Sequence, residues 1–374
     1  MVHQPINLGY YCSWTVYGPR NYSPLDIPVE KLTHVAYAFA NIQNGVIVPG
    51  DLWADAQKPY TAPNGTTLLG AYAVLNHPDS PLRQRNRNFK SLISIGGWTF
   101  SKEFSLVART PEARQKFADS VVQFIEQYGF QGCDLDWEFP GEGGLPENHR
   151  HPDDGKNFTL LAQALRQSLD QLGARRNNQH YILSACTAHA EWLYKNLDLP
   201  GLGHACDHLL LMTYDAAGAW SKTTAHHAPF SCIESAVRGY TARGVPAAKL
   251  LAGLPLAGRS FGGVCSGNVG APINKEAPAP GTHAKGIVDY DDLAANYTQA
   301  HGYSWQLDPQ AMTPVVFNPN TQVWVTAESE ESIMKKAKAS VEQLGLSGVF
   351  LWELSQDRRA VLTGAAAKAL NIAH

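Results

Sequence analysis

Apolar and polar positions alternate along this chain in two kinds of segment. Short, nearly continuous apolar runs occupy residues 6–12, 32–40, 91–98, 129–138, 181–187, 208–214, 250–256 and 348–354. Runs of that length predict strands buried on both faces. Between them lie helix-like segments, the clearest at 111–128, 155–172, 231–243, 328–344 and 357–370. Thr110 is placed to cap the first of these, with Pro111 in its first turn and Glu112 near the positive end of its dipole. Strands that alternate with helices predict a parallel sheet covered by helices. Eight of them predict a closed (β/α)8 barrel of the TIM type, with its active site at the C-terminal strand ends.

The rhythm breaks twice. Residues 41–88 form a long, Pro- and Asn-rich excursion after the second strand, expected to wall one side of a cleft. Residues 258–325 are loop-rich and too long for a plain connection. They predict a small α+β insertion domain between strands seven and eight, leaving 1–257 and 326–374 as the barrel.

One segment carries charge where a barrel strand should be apolar. GCDLDWEFP, residues 132–140, sets Asp134, Asp136 and Glu138 two apart, so on a strand all three project to one face. The alternate residues Cys133, Leu135, Trp137 and Phe139 are apolar and suit packing against helices. Glu138 is expected at the top of strand four, with Asp136 and Asp134 descending into the barrel. Like charges in a poorly solvated column force protons onto one another, so at least one carboxyl stays protonated near neutral pH, as a general acid must.

Composition narrows the function classes. The chain has 374 residues, is 44% hydrophobic and 17% charged, and carries a formal net charge of -3. That fits a globular protein with a large core, and no basic excess points to nucleic acid or an anionic membrane. A monomer is expected. Nine Trp and fifteen Tyr supply flat faces of the kind that hold sugar rings. Six scattered cysteines form no CxxC pair and read as buried free thiols. The first residues lack a signal-peptide pattern, so the chain is expected to be cytoplasmic or to have lost its leader. Asn21, Asn64, Asn157 and Asn296 lie in Asn-x-Ser/Thr triplets, a pattern that also arises by chance. His204, Asp207 and His208 have the spacing of a metal pair, but they precede strand six, and no metal is expected there. His226 and His227 adjoin a loop and are expected to face solvent.

With these residues in view, the chain resembles the chitinases of glycoside hydrolase family 18 over essentially its whole length. Residues 131–138 match all but the first position of the DxxDxDxE signature of that family. SIGGW at 94–98 and MTYD at 212–215 are similar to its strand-three and strand-six motifs. GLPLAGRSF from Gly253 is similar to the segment opening its inserted domain, and Trp352 falls where strand eight floors the sugar site.

The resemblance implies a retaining, substrate-assisted hydrolysis of chitin with no metal or organic cofactor. It implies Glu138 as acid and then base, Asp136 as partner of the acetamido N–H, Asp134 as the group tuning Asp136, and Tyr214 as the group orienting the acetamido oxygen. Tyr10, Ser94, Met212, Asp215 and Arg259 are implied to line the central subsite. Trp98 and Trp220 are implied to stack product-side sugars, and Trp352 to lie under the distorted ring. Two positions depart from the pattern. Gln131 replaces the first Asp of the signature, at a spacing that takes it off the carboxylate face, and Ala257 stands where the family usually has Tyr. Two other functions fit the same barrel: a chitin-binding lectin, and an endoglycosidase acting on the paired N-acetylglucosamines of N-glycans.

Overall fold

The computed structural model describes residues 4–372. Eight parallel strands form the barrel: β1 Ile6–Cys12, β2 His34–Gln43, β3 Lys90–Gly96, β4 Gly132–Asp136, β5 Ile182–Ala188, β6 His208–Met212, β7 Leu250–Pro255 and β8 Gly348–Trp352. Each pairs in parallel with the next, with a register shift between Ala38 and Ala40 where β2 meets β3, and β1 closes the ring on β8 through Ile6↔Gly348 and Leu8↔Phe350. Closure satisfies every strand edge, which an open sheet would leave exposed.

Side-chain alternation on these strands creates two apolar layers. Tyr10, Cys12, Ala36, Ala38, Leu92, Cys186, Leu210 and Phe350 fill the barrel interior. The other face packs on helices: Cys133, Leu135 and Trp137 join the large outer core as expected, and Trp137 stacks on Phe104 at 5.3 Å. Phe139 departs from the expectation, lying beyond the end of β4 and outside that layer.

The outer helices include α1 Pro111–Tyr128, α2 Asp154–Arg175, α3 Phe230–Ala242, α4 Glu330–Glu342 and α5 Val361–Ala369. Thr110 caps α1 by accepting from Ala113 N at 3.2 Å. Two helix starts fall later than the pattern predicts, for local reasons. Ser329 caps α4 by accepting from Ser332 N, while Glu328 turns inward to a buried ion pair with Lys336. Asp357 accepts from Val361 N and Thr363 N, so it acts ahead of α5 and not within it. Asn157 is buried on α2, which makes it unavailable for glycosylation in the folded chain. Among the described residues, no helix is long and apolar enough to cross a membrane.

Both interruptions have structure of their own. The excursion extends β2 into a hairpin with Val46–Pro49 and then forms a two-stranded sheet and two short helices. Its anchor is buried Asp55, which accepts from Tyr37 Oη at 2.5 Å and Tyr72 Oη at 3.1 Å. Tyr17, in the loop after β1, donates to Asp51 Oδ2 at 2.7 Å and so ties the excursion to the C-terminal face. Between β7 and β8 runs a five-stranded antiparallel sheet, ordered Ile287–Asp289, Ala257–Phe261, Val323–Thr326, Thr313–Asn318, Ser304–Asp308, with the helix Tyr290–Asn296. Arg20 bonds Asp289 on that sheet at 2.7 Å and Ser355 beyond β8 at 2.9 Å, joining sheet to barrel.

Candidate active site

The carboxylate column forms because β4 is short. Asp134 and Asp136 are its inward residues, and Glu138 follows just past its last hydrogen-bonded position. Asp134 is fully buried and fully satisfied. Its Oδ2 accepts from Tyr10 Oη at 2.8 Å and Ser94 Oγ at 2.7 Å, and its Oδ1 from Ser184 Oγ at 2.7 Å. Asp136 is equally enclosed, yet its Oδ1 has no hydrogen-bond partner. Burial, then the charges of Glu138 and Asp134, push its carboxyl well above the ordinary range, while the Cys186 thiol pulls the other way. Burial and then Asp215 push the Glu138 carboxyl up to about 7. Its backbone is fixed from both sides: Ser101 Oγ accepts from Glu138 N at 2.9 Å, and Asn148 Nδ2 donates to Glu138 O at 3.0 Å.

The chain reaches this geometry through a turn that only glycine allows. Gly96 and Gly97 take φ values of 103° and 68°, and a Cβ on them would stand 2.4 Å from Asp136 O and from the Phe39 ring respectively. That turn presents Trp98, half exposed, at the rim. Trp220 is 60% exposed, its ring lying against Gly218. On the floor, Trp352 stacks on Phe39 at 5.8 Å and meets Tyr10 edge-on at 5.3 Å.

A second charged group faces the column. Asp215, with φ of 60° in a region Asp tolerates, accepts from Arg259 Nε at 2.8 Å and Nη2 at 2.6 Å. Burial pushes its carboxyl up, but His227 and Arg259 outweigh that and hold it at about 2. Tyr214 keeps its proton, raised by burial and then by Cys186, Asp136 and Glu138, so its hydroxyl remains a donor. Met212 is half-buried in the same interior.

Several sequence expectations change here. Tyr10 and Ser94 were expected to line the sugar subsite. They are almost wholly buried with their hydroxyls donating to Asp134, so those hydroxyls hold the carboxylate. His226 and His227 do not face solvent: both are buried, the former bonded to Asp308 at 3.2 Å and the latter 3.7 Å from Asp215. Gln131 lies off the carboxylate face, as its spacing implies, where its Oε1 accepts from Ser91 N at 3.0 Å. Asp207 serves Arg166, His180 and Leu183 N. Among the described residues, no three potential ligands converge as a metal site. Ser184, Cys186, Ser101, Asn148 and His227 were missed. Alternation along β5 from Ile182 would have found the first two, but the others come from loops with no period.

A closed parallel barrel that aims a protonated carboxyl, two buried aspartates and exposed tryptophans at one end defines a glycoside hydrolase. The sequence profile of glycosyl hydrolases family 18 matches residues 6–357. The chain belongs to that family.

Similar proteins include Chitinase A1 of Niallia circulans, 34% identical over 95% of this chain, and Endochitinase 1 of Metarhizium robertsii, 33% identical over 95%. The chain spans 57% of the length of the former and 82% of the latter. Among solved structures, chitinase ChiA74 from Bacillus thuringiensis superposes with a TM-score of 0.89 at 30% identity, covering 99% of this chain and 70% of that one. The catalytic domain of psychrophilic chitinase B from Arthrobacter TAD20 gives 0.87 at 28%, covering all of this chain and 97% of that one.

Proposed function

We propose that this chain is a chitinase that cleaves β-1,4 linkages between N-acetylglucosamine units with retention of configuration, using the substrate's own acetamido oxygen as nucleophile. Glu138 protonates the leaving oxygen and then takes a proton from water. Asp136 accepts from the acetamido N–H and offsets the positive charge of the oxazolinium ion, Asp134 sets the protonation of Asp136, and Tyr214 donates to the acetamido oxygen. Trp352 lies under the distorted ring, Met212, Asp215 and Arg259 flank it, and Trp98 and Trp220 stack sugars on the product side. The observation that carries this reading is the inward column ending in Glu138, whose carboxyl holds its proton up to about pH 7.

The same reading divides the chain into a barrel, 1–257 with 326–374, and an inserted unit, 258–325, whose sheet reaches one residue further at each end to Ala257 and Thr326, the whole working as a monomer on a soluble or solid glycan. Two displacements at one carbon preserve configuration, so early NMR of the products is expected to show the β-anomer first. Fully deacetylated chitosan, which lacks the nucleophile, is expected to resist cleavage. An α-anomer formed first, or equal activity on chitosan, contradicts the mechanism. Binding of chitooligosaccharides without turnover would indicate the lectin instead, and release of glycans from a glycoprotein the endoglycosidase.

Ala257 offers a test of the subsite. It begins the strand that also carries Arg259, so the two project to the same face, and Arg259 already reaches Asp215. Ala257→Tyr is expected to add one substrate hydrogen bond, about 0.5–1.5 kcal/mol. The corresponding gain in kcat/KM on chitooligosaccharides is a few-fold to about tenfold. A well-folded variant with unchanged or lower kcat/KM shows that Ala257 is not a missing contact.

A further inference from the structure

One thiol sits inside the carboxylate column without a part in the steps above. Cys186 follows the Leu135↔Ala185 cross-strand pair by one residue, so on the inward face it is the neighbour of Asp136. Its Sγ stands 3.0 Å from Tyr10 Oη and 3.6 Å from Asp134 Oδ2. Counting protons fixes the directions. The single hydroxyl proton of Tyr10 goes to Asp134, so toward sulfur the phenol oxygen can only accept, and the S–H is the donor. The thiol thus has one proton and two acceptors in reach, Tyr10 Oη and Asp134 Oδ2, with the Asp136 carboxyl as its inward-facing neighbour on β4. Asp134 already has other donors, whereas Asp136 Oδ1 is buried with none.

We propose that Cys186 is a positioning residue for the reaction, its S–H turning to whichever of Asp134 and Asp136 carries the negative charge and supplying Asp136 with a donor while it faces the oxazolinium ion. The inference rests on the substrate-assisted reading. A thiol suits the task because it is a weak donor, able to leave one acceptor for another without locking either. Burial, then Asp134 and Asp136, hold the thiol protonated, so it donates and does not attack. The groups facing it are Tyr10 from β1, Ser94 from β3, Asp134, Asp136 and Glu138 from β4 and its end, and Tyr214 beyond β6. From β2, β7 and β8 the same interior cluster takes Ala38, Leu251, Phe350 and Trp352, none of which titrates.

The test compares the full chain with its Cys186→Ala and Cys186→Ser variants on the hexamer of N-acetylglucosamine across the acid limb of the pH profile. Removing the donor raises the pH at which Asp136 ionises. The Ala variant is therefore expected to move that limb up by about 0.5–1 pH unit and to lower kcat on the acid side about three- to tenfold, with KM within about twofold. The Ser variant, which restores a donor, is expected to keep the limb at or below the wild-type position. Melting curves establish that each variant is folded. An unchanged limb in Cys186→Ala, or equal shifts in both variants, overturns the proposal. A wild-type chain with no turnover refutes the functional reading instead, and the thiol's role is then decided by carbon-13 NMR of labelled aspartates. In that measurement Asp136 must titrate at higher pH in Cys186→Ala, and an unchanged titration rejects the role.

Discussion

Glu138→Gln is expected to lower hydrolysis of chitooligosaccharides by at least about 10²- to 10⁴-fold while leaving oligosaccharide binding intact. The amide keeps the shape of the side chain and removes only the proton that the leaving oxygen requires. Ser101 and Asn148 hold the backbone of residue 138, not its side chain, so the substitution leaves that scaffold undisturbed. Near-normal turnover in a folded variant refutes the assignment. The same variant has a second signature. The folded carboxyl sits at about 7, above its ordinary value of 4.5, so the folded state holds the proton more tightly than the unfolded chain between those limits. Stability is therefore lost as pH rises through that window. Glu138→Gln is expected to be more stable than the wild type by about 1–3 kcal/mol above pH ~7.5 and to show little difference below pH ~4.5. Denaturation at the two pH values checks the sign, and a variant less stable at high pH contradicts it.

The largest stability effect is expected at Lys336. Its ammonium is fully buried on α4, paired with Glu328, and it donates to Ala228 O at 2.6 Å and Thr313 Oγ1 at 2.9 Å. One side chain thus ties the segment after Asp215 and the inserted sheet to the barrel's helical layer. Lys336→Ala strips the buried Glu328 carboxylate of its counter-charge and is expected to cost about 3–5 kcal/mol. Replacing both partners, Lys336→Met with Glu328→Gln, is expected to recover most of that loss, because no uncompensated charge remains inside. Urea midpoints for the two variants distinguish the outcomes. A single variant within about 0.5 kcal/mol of wild type would show the pair to be unimportant.

Where sequence reasoning succeeded, a period made it possible. All eight barrel strands were legible because each is buried on both faces and reads as an apolar run. α1 was legible from its start, since Thr110 and Pro111 mark it, whereas Gly129, read as the first residue of the next strand, is the left-handed residue that ends the helix. The column of Asp134, Asp136 and Glu138 followed from spacing alone, because the pleat sends every second side chain the same way. What that spacing could not give was the company each carboxyl keeps. Asp134 is held by residues from β1, β3 and β5, separated from it by 124, 40 and 50 positions. Tyr10 and Ser94 therefore looked like subsite residues when they are its supports.

The physical reason is that a local pattern records burial and direction, whereas hydrogen-bond partners are chosen by barrel closure, which joins strands far apart in the chain. His226 and His227 show the same limit from the other side. A polar pair in an aperiodic loop reads as exposed, and only the sheet folding over it from residues 257–326 makes it buried. The sequence by itself determined the barrel, its order of strands and the face on which three carboxylates stand. Only the tertiary structure decided that His227 joins Asp215 and Arg259 beside them, and that a thiol from β5 enters the column. Those contacts depend on the angles at which separate elements close, and no single segment encodes them.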